Sequence, residues 1–483
     1  MKRLAILFSA VLLMLSALLI TSVSVAATQE QLTHEETVLY GDPAAADGLQ
    51  VSLRYTYRAY LQWFTDYAYQ TYDNSETAFR CYTVAPNFAQ SSFDYRGVVI
   101  NTVGSYLGMD HLSDLFRMEA ANGNTKNSPG LLGAYQKLYH DTQGGELTNT
   151  YLRIADHCEY YPLAGTMELP ADGYHWNYYS DSGYLVKGKE TAEAFNSYFR
   201  IPVLEDDWIQ VVVDKRSGNV MEAVDVTYPR KGSDWYEMDS VGICHKNTAY
   251  FTFDPLTAQG NVVDTSLIPG GYGLYSIAFD DKGNPDLSTL STRLSLDPTY
   301  EPSDMKVDEE FENLHYFSTK DGSIYLTVIA LDTMEVLQQI RILDWQENTW
   351  QYYKQQGNYI VAVATDRQLT LWQKNDRGLY EYCFSAELRD ENSRYGLYDA
   401  EFAFDGERLA VVNWLDREYT VEDETVSVHR LCGYSLSVYT KDGCAYQGLY
   451  TSSLEPKDNI WLDTRCWLEQ IAVTWKSQHF SQQ

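Results

Sequence analysis

Beyond the first fifty residues, apolar and polar positions alternate. Leu49, Val51, Leu53, Tyr55 and Tyr57 occupy every second position, and Ala59, Leu61 and Trp63 carry the period onward. Successive side chains of a strand face opposite ways, so a period of two marks a strand with one buried face. One or two strands are expected between Leu49 and Tyr72. The period changes over residues 104–142. There Leu112, Leu115, Phe116 and Met118 recur at helical spacing, Asn122-Gly123-Asn124 ends that piece, and Leu131-Leu132-Gly133-Ala134-Tyr135 begins a second helical candidate. This stretch reads as a small α-helical insertion. Tyr151 to Leu163 returns to an extended, aromatic pattern.

Turn residues punctuate the C-terminal half at intervals. Asp321-Gly322, Gln356-Gly357 and Asp405-Gly406 each precede an apolar-rich run, Ser323–Val328, Asn358–Val363 and Glu407–Val412. Glycine supplies the positive φ of a tight hairpin and the run supplies its strand. A second module recurs beside it. Leu369–Trp372 leads through Asn375–Gly378 into Leu379–Tyr382, and Leu436–Tyr439 leads through Lys441–Gly443 into Cys444–Tyr446. Val211–Asp214 with Ser217–Val220, and Ser276–Phe279 with Asp281–Gly283, are earlier units of the same kind. The turns at 322, 357 and 406 lie 35 and 49 residues apart. A four-stranded propeller blade takes ~40–50 residues.

On this rhythm the chain resembles β-propeller proteins in general, from Leu49 to about Thr474. The resemblance implies an all-β fold of seven or eight blades, with 49–483 as one propeller-like domain carrying the helical insertion. The competing architecture is a β-sandwich of roughly 200 residues followed by a smaller propeller or barrel. The Gly-His and Trp-Asp pairs of WD40 repeats are absent, as is the Ser-x-Asp-x-Gly-x-x-Trp box of sialidase-like propellers. Thr-Lys precedes both Asp321-Gly322 and Asp442-Gly443, without the Trp of that box. No catalytic residue carries over from either family.

The N-terminus changes the setting. Lys2 and Arg3 precede an uncharged apolar run from Leu4 to Val25, followed by small residues ending at Ala27 and the polar Thr28-Gln29-Glu30. Basic, apolar, small, polar is the order of a signal peptide, and the expected cut follows Ala27. The run also reaches the ~20 residues that span a bilayer, so an uncleaved anchor is the alternative. Either places the remainder outside the cytoplasmic membrane. Residues 28–48 read as a linker.

Composition narrows the function classes. The 483 residues are 45% hydrophobic, enough for a large core. With 36 basic and 67 acidic residues the net charge is −31. Phosphate backbones and anionic lipid are repelled, so no nucleic-acid partner is expected, and a membrane is met only through the N-terminal segment. The 40 Tyr and 11 Trp suit half-buried strands. Seven cysteines (81, 158, 244, 383, 432, 444 and 466) are widely spaced with no Cys-x-x-Cys. They read as buried thiols, with Cys432 and Cys444 the nearest couple able to pair.

Candidate chemistry is sparse. Asp156-His157-Cys158-Glu159 and Cys244-His245 are the tight ligand-type clusters, but neighbours on a strand face apart. Glu205-Asp206-Asp207 could supply paired carboxylates, although a chain this acidic produces such triplets by chance. Tyr174, Trp176, Tyr178 and Tyr179 form the densest aromatic patch, with Asn177 and Asp181 beside it, and suit stacking on a sugar or gripping a peptide. There is no Asp-x-Asp-x-Asp-Gly loop and no Gly-x-Ser-x-Gly elbow, and Gly130, Gly133 and Gly144-Gly145 make no phosphate cradle. No catalytic, metal or cofactor-binding residue is assigned from sequence. The expectation is a monomeric extracytoplasmic binding or scaffolding protein whose partner is a cell-envelope or extracellular protein, peptide or glycan. The alternative is a carbohydrate-active hydrolase whose Asp and Glu converge only in three dimensions.

Overall fold

The computed structural model describes residues 34–57, 61–68, 78–81, 98–102, 130–161, 163–168, 175–176, 194–216, 223–229, 232–280, 285–344, 351–364, 368–389, 400–420, 427–452 and 466–475. Most are in strands, and every pairing between those strands is antiparallel. The described strands form seven small sheets of three to five strands. Four-stranded meanders of consecutive strands, each one blade-sized, make the architecture all-β and propeller-like. The chain divides into two compact units. One comprises Met1–Ala89, Gln346–Asp376 and Tyr380–Gln483, the other Gln90–Trp345 and Arg377–Leu379.

In the first unit, Gln351–Gln356, Tyr359–Ala364, Gln368–Lys374 and Tyr380–Glu387 form one meander. Its neighbour holds Glu401–Phe404, Leu409–Thr420, Ser427–Thr440 and Gly443–Ser452, the last paired with His34–Gly41 at the edge. That edge strand lies in the stretch expected as a linker. Val38, Leu39 and Tyr40 are consecutive and exposed there, so no alternation announces it. The third sheet joins the two ends of the chain. Cys466–Trp475 pairs with Leu49–Tyr57, which continues through Leu61–Ala68 to Ala78–Cys81. Leu49 lies opposite Trp475, Val51 opposite Val473 and Leu53 opposite Ile471, and all six are buried. The period of two at 49, 51 and 53 is the inward face of this sheet.

In the second unit, Ser240–His245, Thr248–Phe253, Gly273–Phe279 and Pro285–Ser295 form a first meander. Glu301–Asp308, Asn313–Lys320, Ser323–Ala330 and Val336–Leu343 form a second. Their facing sides share a core of Val241, Leu274, Met305, Leu314, Tyr316 and Ile329. The turn at Asp321-Gly322 has φ of 49° and 75°, the left-handed pair a two-residue hairpin needs. Two further sheets break sequence order. Leu147–Arg153 pairs with Trp208–Asp214, which pairs with Ala223–Pro229, whereas Leu163–Glu168 between them joins Val98–Thr102 and His175–Trp176. A helix, Gly130–Asp141, forms where the second helical candidate begins. The first candidate, at Leu112–Met118, lies outside the described residues, as does the N-terminal apolar run. Among the described residues no helix is long and apolar enough to cross a membrane.

Candidate functional site

The site lies at one end of the two meanders of the second unit. Ala249, Phe251 and Phe253 alternate into the core, packing around Phe199 and Tyr275. The strand then stops at Asp254-Pro255, because proline has no N–H to continue a ladder. Asp254 Oδ1 accepts the Leu256 N–H at 2.9 Å, which turns the chain and leaves the carboxyl at the rim.

Hydroxyl and amide donors fix the turn. Tyr236 Oη donates to the Asp254 carbonyl at 2.9 Å and Tyr272 Oη to that of Phe253 at 3.0 Å. The Asp254 N–H donates to the Asp239 carbonyl at 2.7 Å. Further along, Asp234 gathers the Thr257 hydroxyl at 2.8 Å, the Asn261 amide at 3.0 Å and the Gln259 N–H at 3.1 Å. The loop is thus held at both ends and in its middle, so the carboxyl is preorganised.

The second meander packs against the first. Glu301 opens its first strand, and Ser318, Thr319 and Lys320 close its second. Glu301 lies near enough to Asp254 for its charge to act on that carboxyl. Tyr316 and Ser318 share a face by the strand period, and Tyr316 packs towards the first meander. They are 3% and 1% exposed, and their hydroxyls are engaged with one another. Hydrogen bonds link the Ser318, Tyr316 and Tyr272 hydroxyls, and Tyr272 donates onward to the Phe253 carbonyl.

Charge completes the arrangement. Burial, above all, pushes the Asp254 carboxyl up to about 6. The Leu256 N–H opposes that shift, and the charges of Glu301 and Asp239 add to it. Burial also holds the Tyr272 and Tyr316 hydroxyls protonated, with Asp254 contributing to both. Asp297 acts on Tyr272 from the loop before Glu301. Lys320 Nζ is occupied by the Thr299 hydroxyl at 2.7 Å, by Asp297 at 3.7 Å and by the Tyr300 ring at 4.5 Å. The rim can therefore donate hydroxyl hydrogens, accept at several carboxylates, and gain or lose a proton at Asp254 near neutral pH.

The sequence candidates lie elsewhere. Tyr174, Tyr178 and Tyr179 fall outside the described residues. Trp176 pairs through its backbone with Met167, and its side chain is likewise not described. Asp156 is bound by the Arg153 guanidinium and Glu159 accepts from the Tyr160 hydroxyl, both beside a 3-10 turn. Burial pushes the Cys244 thiol up to about 12, far from a reactive thiolate. Cys444 is a thiol donating to the Tyr446 carbonyl at 3.4 Å; the Cys432 side chain lies outside the described residues. Among the described residues no three His, Cys, Asp or Glu side chains converge as a metal would need. The acidic triplet is divided: Glu205 and Asp206 are exposed, whereas Asp207 is buried and accepts from Tyr161 Oη at 2.6 Å and the Tyr236 N–H at 3.2 Å. Nothing in sequence singles out Asp254, Tyr316 or Ser318. The nearest signal is an Asp-Pro pair directly after an aromatic strand.

No protein-family model matches the chain, and no curated protein sequence does. Similar solved structures include the β-propeller domain of Cps50 (Swd1) from Myceliophteria thermophila, at 12% identity, covering 53% of this chain and 85% of that one, with a TM-score of 0.20. A putative 6-phosphogluconolactonase from Bacteroides uniformis matches at 11% identity over 60% and 77% of the two chains, TM-score 0.24. The WD40 domain of SCAP from fission yeast matches at 10% identity over 65% and 66%, TM-score 0.25. Likenesses this distant lend none of these proteins' activities to the chain.

Proposed function

We propose that this chain is an extracytoplasmic binding protein, delivered by its N-terminal segment, that holds a glycan at the Asp254 rim. The observation that carries the reading is the preorganised, half-buried Asp254 carboxyl at the end of an aromatic strand, with the Tyr272 and Tyr316 hydroxyls within reach of its charge. A polyol matches such a surface because each sugar hydroxyl both donates and accepts. The net charge disfavours anionic partners and suits a protein at a crowded envelope. Retention on a glycan and peptide array by the exported protein, lost in Asp254→Asn and Tyr316→Phe, is the expected outcome. Retention that survives both but is lost in Trp176→Ala would move the seat to the aromatic patch at 174–179. The second reading is a hydrolase. It draws on the mutual influence of Asp254, Asp239 and Glu301, because glycoside cleavage uses two carboxyls ~5–10 Å apart, one held protonated as an acid. Release of reducing ends from any arrayed glycan would favour it and end the binding-only reading.

A further inference from the structure

The edge strand His34–Gly41 is fastened by few side chains. Glu35, Thr37, Val38, Leu39 and Tyr40 are all exposed. The register slips between Val38 and Tyr40, so Leu39 bulges out of the ladder. The strand buries little apolar surface, and the hydrophobic effect holds it weakly. Its half-buried Glu36 faces Tyr450 across the ladder. Glu36 Oε1 accepts from Tyr446 Oη at 2.6 Å and from Tyr450 Oη at 3.3 Å. Both tyrosines are fully buried, their hydroxyls lie 2.7 Å apart, and the Tyr450 ring stacks on Tyr434 at 4.6 Å. On Tyr40, the Arg389 guanidinium lies 3.9 Å over the ring. Gly41 closes the strand opposite Tyr446, with φ of 74°, and a Cβ there would run into the Ala445 carbonyl.

We propose that Gly443–Ser452 carries an exchangeable edge, filled in cis by His34–Gly41 and in trans by the same strand of a second copy of this chain. Gly443–Ser452 stays in its sheet through Ser427–Thr440, whichever strand lies on its other side. Left empty, that edge would strand two buried hydroxyls without their acceptor, which disfavours the open state. A replacement strand must bring a carboxylate opposite Tyr450 and no side chain opposite Tyr446. An apolar segment fails the first condition, and a segment lacking the glycine fails the second. His34–Gly41 meets both, so a second copy supplies the matching occupant. Exchange remakes every contact of the strand between copies, which is why identical elements swap at low cost. Gly41 is the hinge, because the turn after it is pinned where it stands. The Asp42 N–H donates to the Ala445 carbonyl at 3.2 Å, and Arg408 donates to the carbonyls of Ala45 and Asp47.

The probe is a fluorescein-labelled peptide with the sequence His34–Gly41, titrated by anisotropy into the purified protein and its Glu36→Gln variant at pH 7.5. The variant gives up the carboxylate in cis while the peptide still offers one. It is expected to bind the peptide at least about tenfold more tightly than the unaltered protein does. A peptide carrying Glu36→Gln should lose that gain, and one carrying Gly41→Ala should not bind. Chains with Thr37→Cys are then mixed with chains with Leu449→Cys, positions that face each other in the ladder. A disulfide joining the two, mapped by mass spectrometry, requires a strand passed between copies and is the expected product. A thermal melt of each variant verifies that it remains folded. Refusal of the peptide by folded Glu36→Gln protein overturns the exchangeable edge. Equal binding of the unaltered and Glu36→Gln peptides overturns the carboxylate as the selecting contact. Peptide binding without a bridge between positions 37 and 449 overturns the second copy as the occupant.

Discussion

Asp254 turns the chain through its carboxyl, which accepts the Leu256 N–H although burial disfavours its charge. Its ordinary range is near 4 when unfolded, and burial brings it to about 6 in the folded chain. Between those values the folded state holds a proton the unfolded state has lost. Stability therefore falls as pH rises from about 4 to 6, and stays lower above that, by roughly 2–3 kcal/mol from this group. Asn keeps an oxygen for the Leu256 N–H and does not titrate. Urea midpoints of the protein and of Asp254→Asn should be similar at pH 4 and diverge by pH 7.5, with the variant the more stable. Parallel curves across that range would reject the assignment. Asp207 shows how little of this is legible in sequence. It shares a triplet with Glu205 and Asp206, and only the folded chain separates it from them, by bringing Tyr161 from 46 residues away.

Elements were more legible than sites, where their causes are local. Leu49, Val51 and Leu53 face inward as their period implies, and Asp321-Gly322 forms the hairpin that its residue types favour. Partner choice was not legible, since period gives a strand its face and not its neighbour. Leu163–Glu168 skips Leu147–Arg153 and pairs with Val98–Thr102 for reasons spread over many distant contacts. A similar long-range contact secures the first unit. Arg408 forks onto Asp405 at 2.8 and 2.9 Å, donates to the carbonyls of Ala45 and Asp47 at 3.0 and 3.1 Å, and lies 4.1 Å over the Trp475 ring. One guanidinium so ties a hairpin, the turn before Leu49 and the C-terminal strand. Lysine cannot fork or stack in this way. Arg408→Lys should lower unfolding free energy by about 2 kcal/mol in urea titrations. A change under half of that would show the contacts to be incidental.

For the molecule as a whole, the N-terminal segment is the strongest sequence statement about address. Mass spectrometry of protein recovered outside the cytoplasm should find Thr28 as the first residue. Met1 intact in a membrane fraction would identify an anchor in place of a cleaved leader, and a soluble cytoplasmic chain retaining residues 1–27 would reject export altogether.

The pairing of Leu49–Tyr57 with Cys466–Trp475, and of His34–Gly41 with Gly443–Ser452, sets a timetable for the first unit. Strands made early on the ribosome have an edge partner made much later. Leu49–Tyr57 can pair at once with Leu61–Ala68, but its other edge waits for Cys466–Trp475 and His34–Gly41 waits for Gly443–Ser452, and closing contacts so distant in sequence slows folding. On the export route proposed above, these two late edges would leave part of the first unit open while the chain is threaded through a membrane pore.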